Sequence, residues 1–116
     1  MKIIVIGAGM YVTGRNNSGV GTVLSSLSQL SKEVKIEKVT VIANSITSSK
    51  SVDTTKNRIN KILNSSLQVD YYDLEHNTIE SLFNNDDYDC TIIATPDNLH
   101  YQQALLSFQN YFHVLC

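Results

Sequence analysis

Short runs rich in Val and Ile, continuous rather than alternating, recur at residues 2–6 (KIIVI), 38–43 (KVTVIA), 67–72 (LQVDYY), 89–94 (DCTIIA) and 111–115 (YFHVL). Strands buried on both faces of a parallel sheet have this pattern. The segments between them change period. In 20–31, Val20, Val23, Leu24, Leu27 and Leu30 fall at steps of three and four, one apolar face of a helix. In 53–64, Ile59, Ile62 and Leu63 repeat the spacing, with Asp53 near the expected start and lysines later, as the helix dipole favours. A short helix over 78–84 carries Ile79, Leu82 and Phe83. Thr95-Pro96 reads as a helix start, a capping hydroxyl followed by proline, opening a helix with Leu99, Ala104, Leu105 and Phe108 on its apolar face.

The order is therefore β-α-β-α-β-α-β-α-β over one domain, residues 1–116. Strands alternating with helices predict an α/β fold, a doubly wound parallel sheet of about five strands with helices on both faces. The Rossmann-like strand order 3-2-1-4-5 follows, with a ligand crevice at the carboxyl ends of strands one and four.

Composition removes several function classes. The chain is 42% hydrophobic and 17% charged with a net charge of −2, the profile of an ordinary globular domain. No cluster of Lys or Arg offers the basic face that nucleic acid requires. No apolar run approaches the roughly 20 residues that span a bilayer, and the N-terminal one is too short for a signal peptide. Cys90 and Cys116 both lie in apolar strand-like segments, so they are expected as buried thiols in a reducing, cytoplasmic compartment. No His, Cys and carboxylate set has metal-ligand spacing, and His76 lies in a polar loop.

The first strand runs into Gly7-Ala8-Gly9, the opening of a dinucleotide-binding turn. The first glycine makes the turn, and the second admits a pyrophosphate close to the backbone. The third glycine of that fingerprint is due at residue 12, which is Val12. Because the helical pattern resumes only at Gly19–Val20, residues 10–18 read as a loop and the fingerprint as stretched. Asn17 or Ser18 then caps the next helix, while Gly19 and Gly21 permit close approach there. Phosphate is expected over Gly7, Ala8, Gly9 and Met10 near Gly19, where free N–H groups favour an anion. Arg15 in the loop either reaches the phosphate or stays in solvent.

Strand two ends Ala43-Asn44-Ser45, without the carboxylate that would hold the adenosine ribose. Asn44 and Ser45 do not repel a 2′-phosphate, and Thr47, Ser48 and Lys50 follow, so the cofactor expected is NAD(P), with NADP favoured over NAD.

Residues 90–116, CTIIATPDNLHYQQALLSFQNYFHVLC, carry more specific information. Thr95, Pro96 and His100, followed by His113-Val114-Leu115-Cys116, resemble the fourth-strand to fifth-strand region of the Gfo/Idh/MocA oxidoreductases. The resemblance implies an NAD(P)-dependent oxidoreductase acting on a sugar, cyclitol or similar hydroxyl compound. It implies that Ala94, Thr95, Pro96 and Asn98 lie along the nicotinamide ribose, and that His100 either approaches the nicotinamide or packs on the surface. His113 is expected as a core or edge residue. The family continues with Glu-Lys-Pro, whose lysine is linked to catalysis, and with a substrate domain. This chain stops at Cys116, so it is expected to bind dinucleotide without turnover, the small-molecule substrate requiring the absent domain. The exposed last strand is then expected to favour homo-oligomers. Two other readings stay open: a non-enzymatic NAD(P)-sensing module, and a Rossmann-like domain for another adenosyl ligand such as S-adenosylmethionine.

Overall fold

The computed structural model describes residues 1–14, 19–44, 46–85 and 87–116. Its centre is β1 (Lys2–Ile6), whose four apolar residues Ile3, Ile4, Val5 and Ile6 are all buried. They divide by parity. Ile3 and Val5 face one layer with Leu24, Leu27, Val52 and Ile59, whereas Ile4 and Ile6 face the other with Leu82, Phe83, Tyr88 and Phe112. A strand with helices on both sides has no polar face, which is why its sequence does not alternate.

β1 pairs in parallel with β2 (Lys38–Ala43) through Ile4↔Thr40 and with β4 (Cys90–Ile93) through Ile4↔Thr91. β3 (Val69–Asp73) lies outside β2, and β5 (His113–Leu115) lies outside β4. The sheet order is 3-2-1-4-5, as the alternation of periods predicts. The order reverses between β1 and β4, and there the loops diverge and leave a crevice.

The helices depart from expectation in informative ways. Residues 10–18 are not all loop: α1 (Met10–Thr13) forms one helical turn after Gly9. Val12 on it is fully buried beside Ile3, Val5 and Leu24, so it is a core residue where the fingerprint has glycine. The next helix, α2 (Thr22–Leu30), is capped by Gly21, not by Asn17 or Ser18, which lie outside the described residues. Gly21 has φ +70°, and a Cβ there would sit 2.4 Å from the Val12 carbonyl oxygen. It thus allows α2 to start against α1, the close-packing task that residue 12 does not perform.

α3 (Ile46–Ile62) begins seven residues before the sequence pattern suggests. Val52 is the first described residue of α3 to reach the core, so the polar first turns show no apolar period. Asp53 is therefore mid-helix, paired with Lys56 at 3.2 Å, and not a partner of the N-terminal dipole. Ile62 is exposed, and Ile59 and Leu63 make the contact. α4 (Ile79–Asn85) forms where expected.

After β4, a single 3₁₀ turn, Asp97–Leu99, leads into α5 (His100–Gln109). Pro96, not Thr95, is the cap residue of that turn, and no side chain caps it. α5 packs on the sheet through the expected Ala104 together with Leu106 and the fully buried Ser107, whereas Leu105 and Phe108, also expected there, are exposed. Small residues let the helix approach closely. Ser107 meets its hydroxyl requirement by donating to the Gln103 carbonyl at 2.9 Å. Of the two cysteines, Cys90 is half-buried and Cys116 is exposed, so only the first approaches the expected burial. His113 is exposed on the edge strand.

Candidate functional site

At the carboxyl ends of β1, β2 and β4 lies a cavity of about 390 Å³, within the range of small-molecule sites. Gly7, Ala8 and Gly9 form its floor, Ala43 and Asn44 one wall, and Ala94, Thr95 and Pro96 the opposite wall. Three separated sequence segments converge there because β1 lies between β2 and β4.

The two glycines of the turn have different reasons. Gly7 has φ +111°, and a Cβ on it would lie 2.5 Å from the Ala94 carbonyl oxygen. Its N–H donates to Ile42 at 2.8 Å, so the turn passes between the neighbouring strands with no room for a side chain. Gly9 is different. Its φ of −78° suits any residue, and a Cβ there would meet no heavy atom within 4 Å. Neither backbone nor neighbours require glycine at position 9, which leaves space for a group outside the chain.

α1 follows directly, with Val12 and Thr13 N–H groups donating to the Gly9 carbonyl at 2.9 and 3.0 Å. Thr13 sends its hydroxyl back to the Ala8 and Gly9 carbonyls, and Thr55 of α3 donates to the Thr13 carbonyl at 2.7 Å. The turn is thereby braced from two helices. Arg58 donates to the Gly19 carbonyl at 2.8 Å, holding the far end of the segment against α3.

Of the residues expected at the site, Gly7, Ala8, Gly9, Asn44, Ala94, Thr95 and Pro96 line this one cavity. Met10 is exposed on α1, Gly19 sits at the start of the α2 approach, and Asn98 is exposed on the 3₁₀ turn; none of the three lines it. Arg15 and Ser45 lie outside the described residues, as does the Thr47 side chain. Lys50 lines a separate groove with Ser49, Val52, Asp53 and residues of β3. His100 does not line the cavity either. Its Nε2 donates to the Thr95 carbonyl at 2.7 Å, a bond that holds the wall from behind.

Ile6, Ile42, Ser48, Leu74, Leu99 and Gln103 complete the lining; of these the sequence pointed to Ser48 as a neighbour of Asn44, and it gave Leu74 and Gln103 no role at the site. Gln103 carries the only hint available there, standing two turns after Thr95. Its Oε1 accepts the Thr95 hydroxyl at 2.6 Å. Among the described residues the lining holds no Asp, Glu, His, Cys, Lys or Arg. Such a crevice can bind and orient by backbone groups, amides, hydroxyls and apolar contact, and it offers no side chain to take or give a proton.

A second cluster emerges that residue spacing did not reveal. At the end of β3, Asp73, Glu75 and His76 bring their ligand atoms within 4.8 Å of one another. Local bonds account for it. His76 Nδ1 pairs with Asp73 at 2.7 Å, and the Glu75 N–H donates to Asp73 at 2.9 Å. The His76 bond and the Glu75 N–H hold the Asp73 carboxyl below the usual range, and Asp73 raises His76 in return.

No helix among the described residues is long and apolar enough to cross a membrane. No curated protein and no solved structure matches the chain. The family model described as the Gfo/Idh/MocA oxidoreductase family, NAD-binding Rossmann fold, matches residues 1–116. The match spans the glycine turn, the Asn44 junction and the Thr95-Pro96 wall together. The chain therefore belongs to the Gfo/Idh/MocA oxidoreductase family, as its NAD-binding Rossmann domain.

Proposed function

We propose that this domain holds the dinucleotide across the β1–β4 crevice, with NADP preferred to NAD, for hydride exchange with a sugar, cyclitol or similar hydroxyl compound. In this reading the pyrophosphate lies over Gly7, Ala8 and Gly9. The adenosine ribose stands beside Asn44, and the nicotinamide half lies along Ala94, Thr95 and Pro96. The observation that carries it is Gly9, a glycine that the fold does not need at the mouth of a cavity where β1, β2 and β4 converge.

Preference for the 2′-phosphate rests on Asn44. A carboxylate at the end of β2 would repel that phosphate, and Asn44 offers an amide with Ser48 beside it in the lining. Bound nicotinamide supplies the hydride chemistry, and the residues of this chain bind and orient it. A hydroxyl substrate must also lose or gain a proton as hydride moves, and the described lining has no side chain suited to that transfer. In this reading the described lining binds the dinucleotide without supplying turnover, and the domain works in the cytoplasm.

Thermal unfolding with NADPH, NADH and S-adenosylmethionine tests the reading. A ligand at 100 times its dissociation constant adds about 2.7 kcal/mol, which moves the midpoint of a domain this small by several degrees. A larger shift with NADPH than with NADH is expected. Equal shifts would remove the preference, and a shift with S-adenosylmethionine alone would remove the cofactor assignment.

A further inference from the structure

We infer that His100 and Gln103 are positioning residues for the nicotinamide half of the dinucleotide, acting through Thr95. The inference rests on the proposed placement of that half along Ala94–Pro96.

Thr95 follows β4 and walls the cavity, and it is tied to α5 at both of its polar ends. Its hydroxyl donates to Gln103 Oε1 at 2.6 Å, and its carbonyl accepts from His100 Nε2 at 2.7 Å. His100 and Gln103 are three residues apart, so they project from the same face of α5 one turn apart. Two bonds from one rigid helix fix both the rotamer of Thr95 and the orientation of its peptide plane. On the other side Thr95 meets the glycine turn, where its methyl would be 3.4 Å from a Cβ on Gly7. The residue is thus held between the glycine floor and α5.

The bond to the carbonyl also fixes the imidazole. A carbonyl only accepts, so Nε2 carries a proton. His100 spends this Nε2 proton on the Thr95 carbonyl and does not line the cavity. Gln103 lines the cavity and, with Oε1 accepting from Thr95, keeps its Nε2 N–H groups for another partner. Together they convert the first turns of α5 into a support for the wall that the nicotinamide ribose would meet.

The test compares two ligands on the same protein. NADPH reaches from the β2 end to Thr95, whereas 2′,5′-ADP occupies only the adenosine end beside Asn44. His100→Leu and Gln103→Leu are each expected to weaken NADPH at least tenfold, read by fluorescence titration, and to leave 2′,5′-ADP within twofold. His100→Gln, whose amide can donate to the same carbonyl, should restore most of the NADPH affinity. Equal losses for both ligands would mean a general loss of structure and overturn the inference. So would unchanged NADPH affinity in both Leu variants. If the unsubstituted chain binds 2′,5′-ADP and NADPH equally, or neither, the placement itself fails, and that result is separable from the behaviour of the variants.

Discussion

Gly7 and Gly9 are identical in sequence terms and opposite in structural ones. At Gly7 a methyl would add left-handed backbone strain of roughly 1–2 kcal/mol to a 2.5 Å clash with the Ala94 backbone. Gly7→Ala is therefore expected to destabilise the fold by at least about 2 kcal/mol, measured by urea unfolding. At Gly9 a methyl has an ordinary φ and open space, so Gly9→Ala should change stability by no more than about 0.5 kcal/mol. Its effect belongs to the ligand. NADPH affinity should fall about tenfold, or about 1.4 kcal/mol. A Gly9→Ala protein that binds NADPH unchanged would remove the main support for a pyrophosphate over this turn.

Asn44 provides the complementary residue-scale test. Asn44→Asp introduces, at the end of β2, the carboxylate whose absence is the ground for the proposed NADP preference. The variant is expected to lose NADPH affinity and gain NADH affinity, reversing the order of the two thermal shifts. Loss of both would show that position 44 supports the turn rather than reading the ribose.

At the scale of elements, the parts legible in the sequence were those with an unambiguous burial signature. Ile3 to Ile6 and Val39 to Ile42 are buried on both faces, and continuous apolar runs follow from that. α1 left no signature, because four residues bounded by Gly9 and Gly14 cannot establish a period. The first turns of α3 were hidden for a different reason, since none of their described residues before Val52 reaches the core. α5 misled in part. Its apolar residues Tyr101, Leu105 and Phe108 share one face, and that face points outward, because Ala104 and Ser107 give the closer approach to β4 and β5. The crevice was legible in its floor and two walls, which are consecutive motifs. Leu74 and Gln103 join it only through topology and helix phase.

The β3–α4 connection illustrates the same limit for electrostatics. A His three residues after an Asp is common, and only the turn brings the two side chains within 2.7 Å. The raised pKa of His76 gives stability that is complete below its unfolded value and lost as pH rises through the folded one. The lowered pKa of Asp73 gives stability present above its unfolded value and lost as pH falls through the folded one. Both contributions hold together between about pH 4 and 6.5. Both groups face solvent, so the effect on stability is small and screened by salt. The direct readout is an NMR titration. His76 should titrate above about 6.5 and return to it in Asp73→Asn.

At the scale of the whole molecule, the sheet has one insufficiently covered region. β5 presents His113 and Leu115 to the face that carries α1, α2 and α3 nearer β1, and Leu115 is 64% exposed there, with Cys90 and Ile92 beside it only half-buried. Parallel sheets ordinarily have both faces covered. On the opposite layer, the outer side of α5 exposes Tyr101 (76%), Leu105 (43%) and Phe108 (60%), and Tyr111 beyond its end is 94% exposed. Residues 98–116 contain no Asp, Glu, Lys or Arg, so α5 and β5 themselves add no charged side chain to either patch. Exposed aromatic and aliphatic side chains without charges between them favour association. Sedimentation over a tenfold range of concentration should therefore show a weight-average mass that rises above the monomer. Two single substitutions separate the patches: Phe108→Glu should abolish the rise if α5 makes the contact, and Leu115→Glu should do so if the open face of β5 does. A mass that stays at the monomer value throughout would mean that neither patch is sticky enough to matter, and that the exposed aromatic residues of α5 are simply tolerated in water.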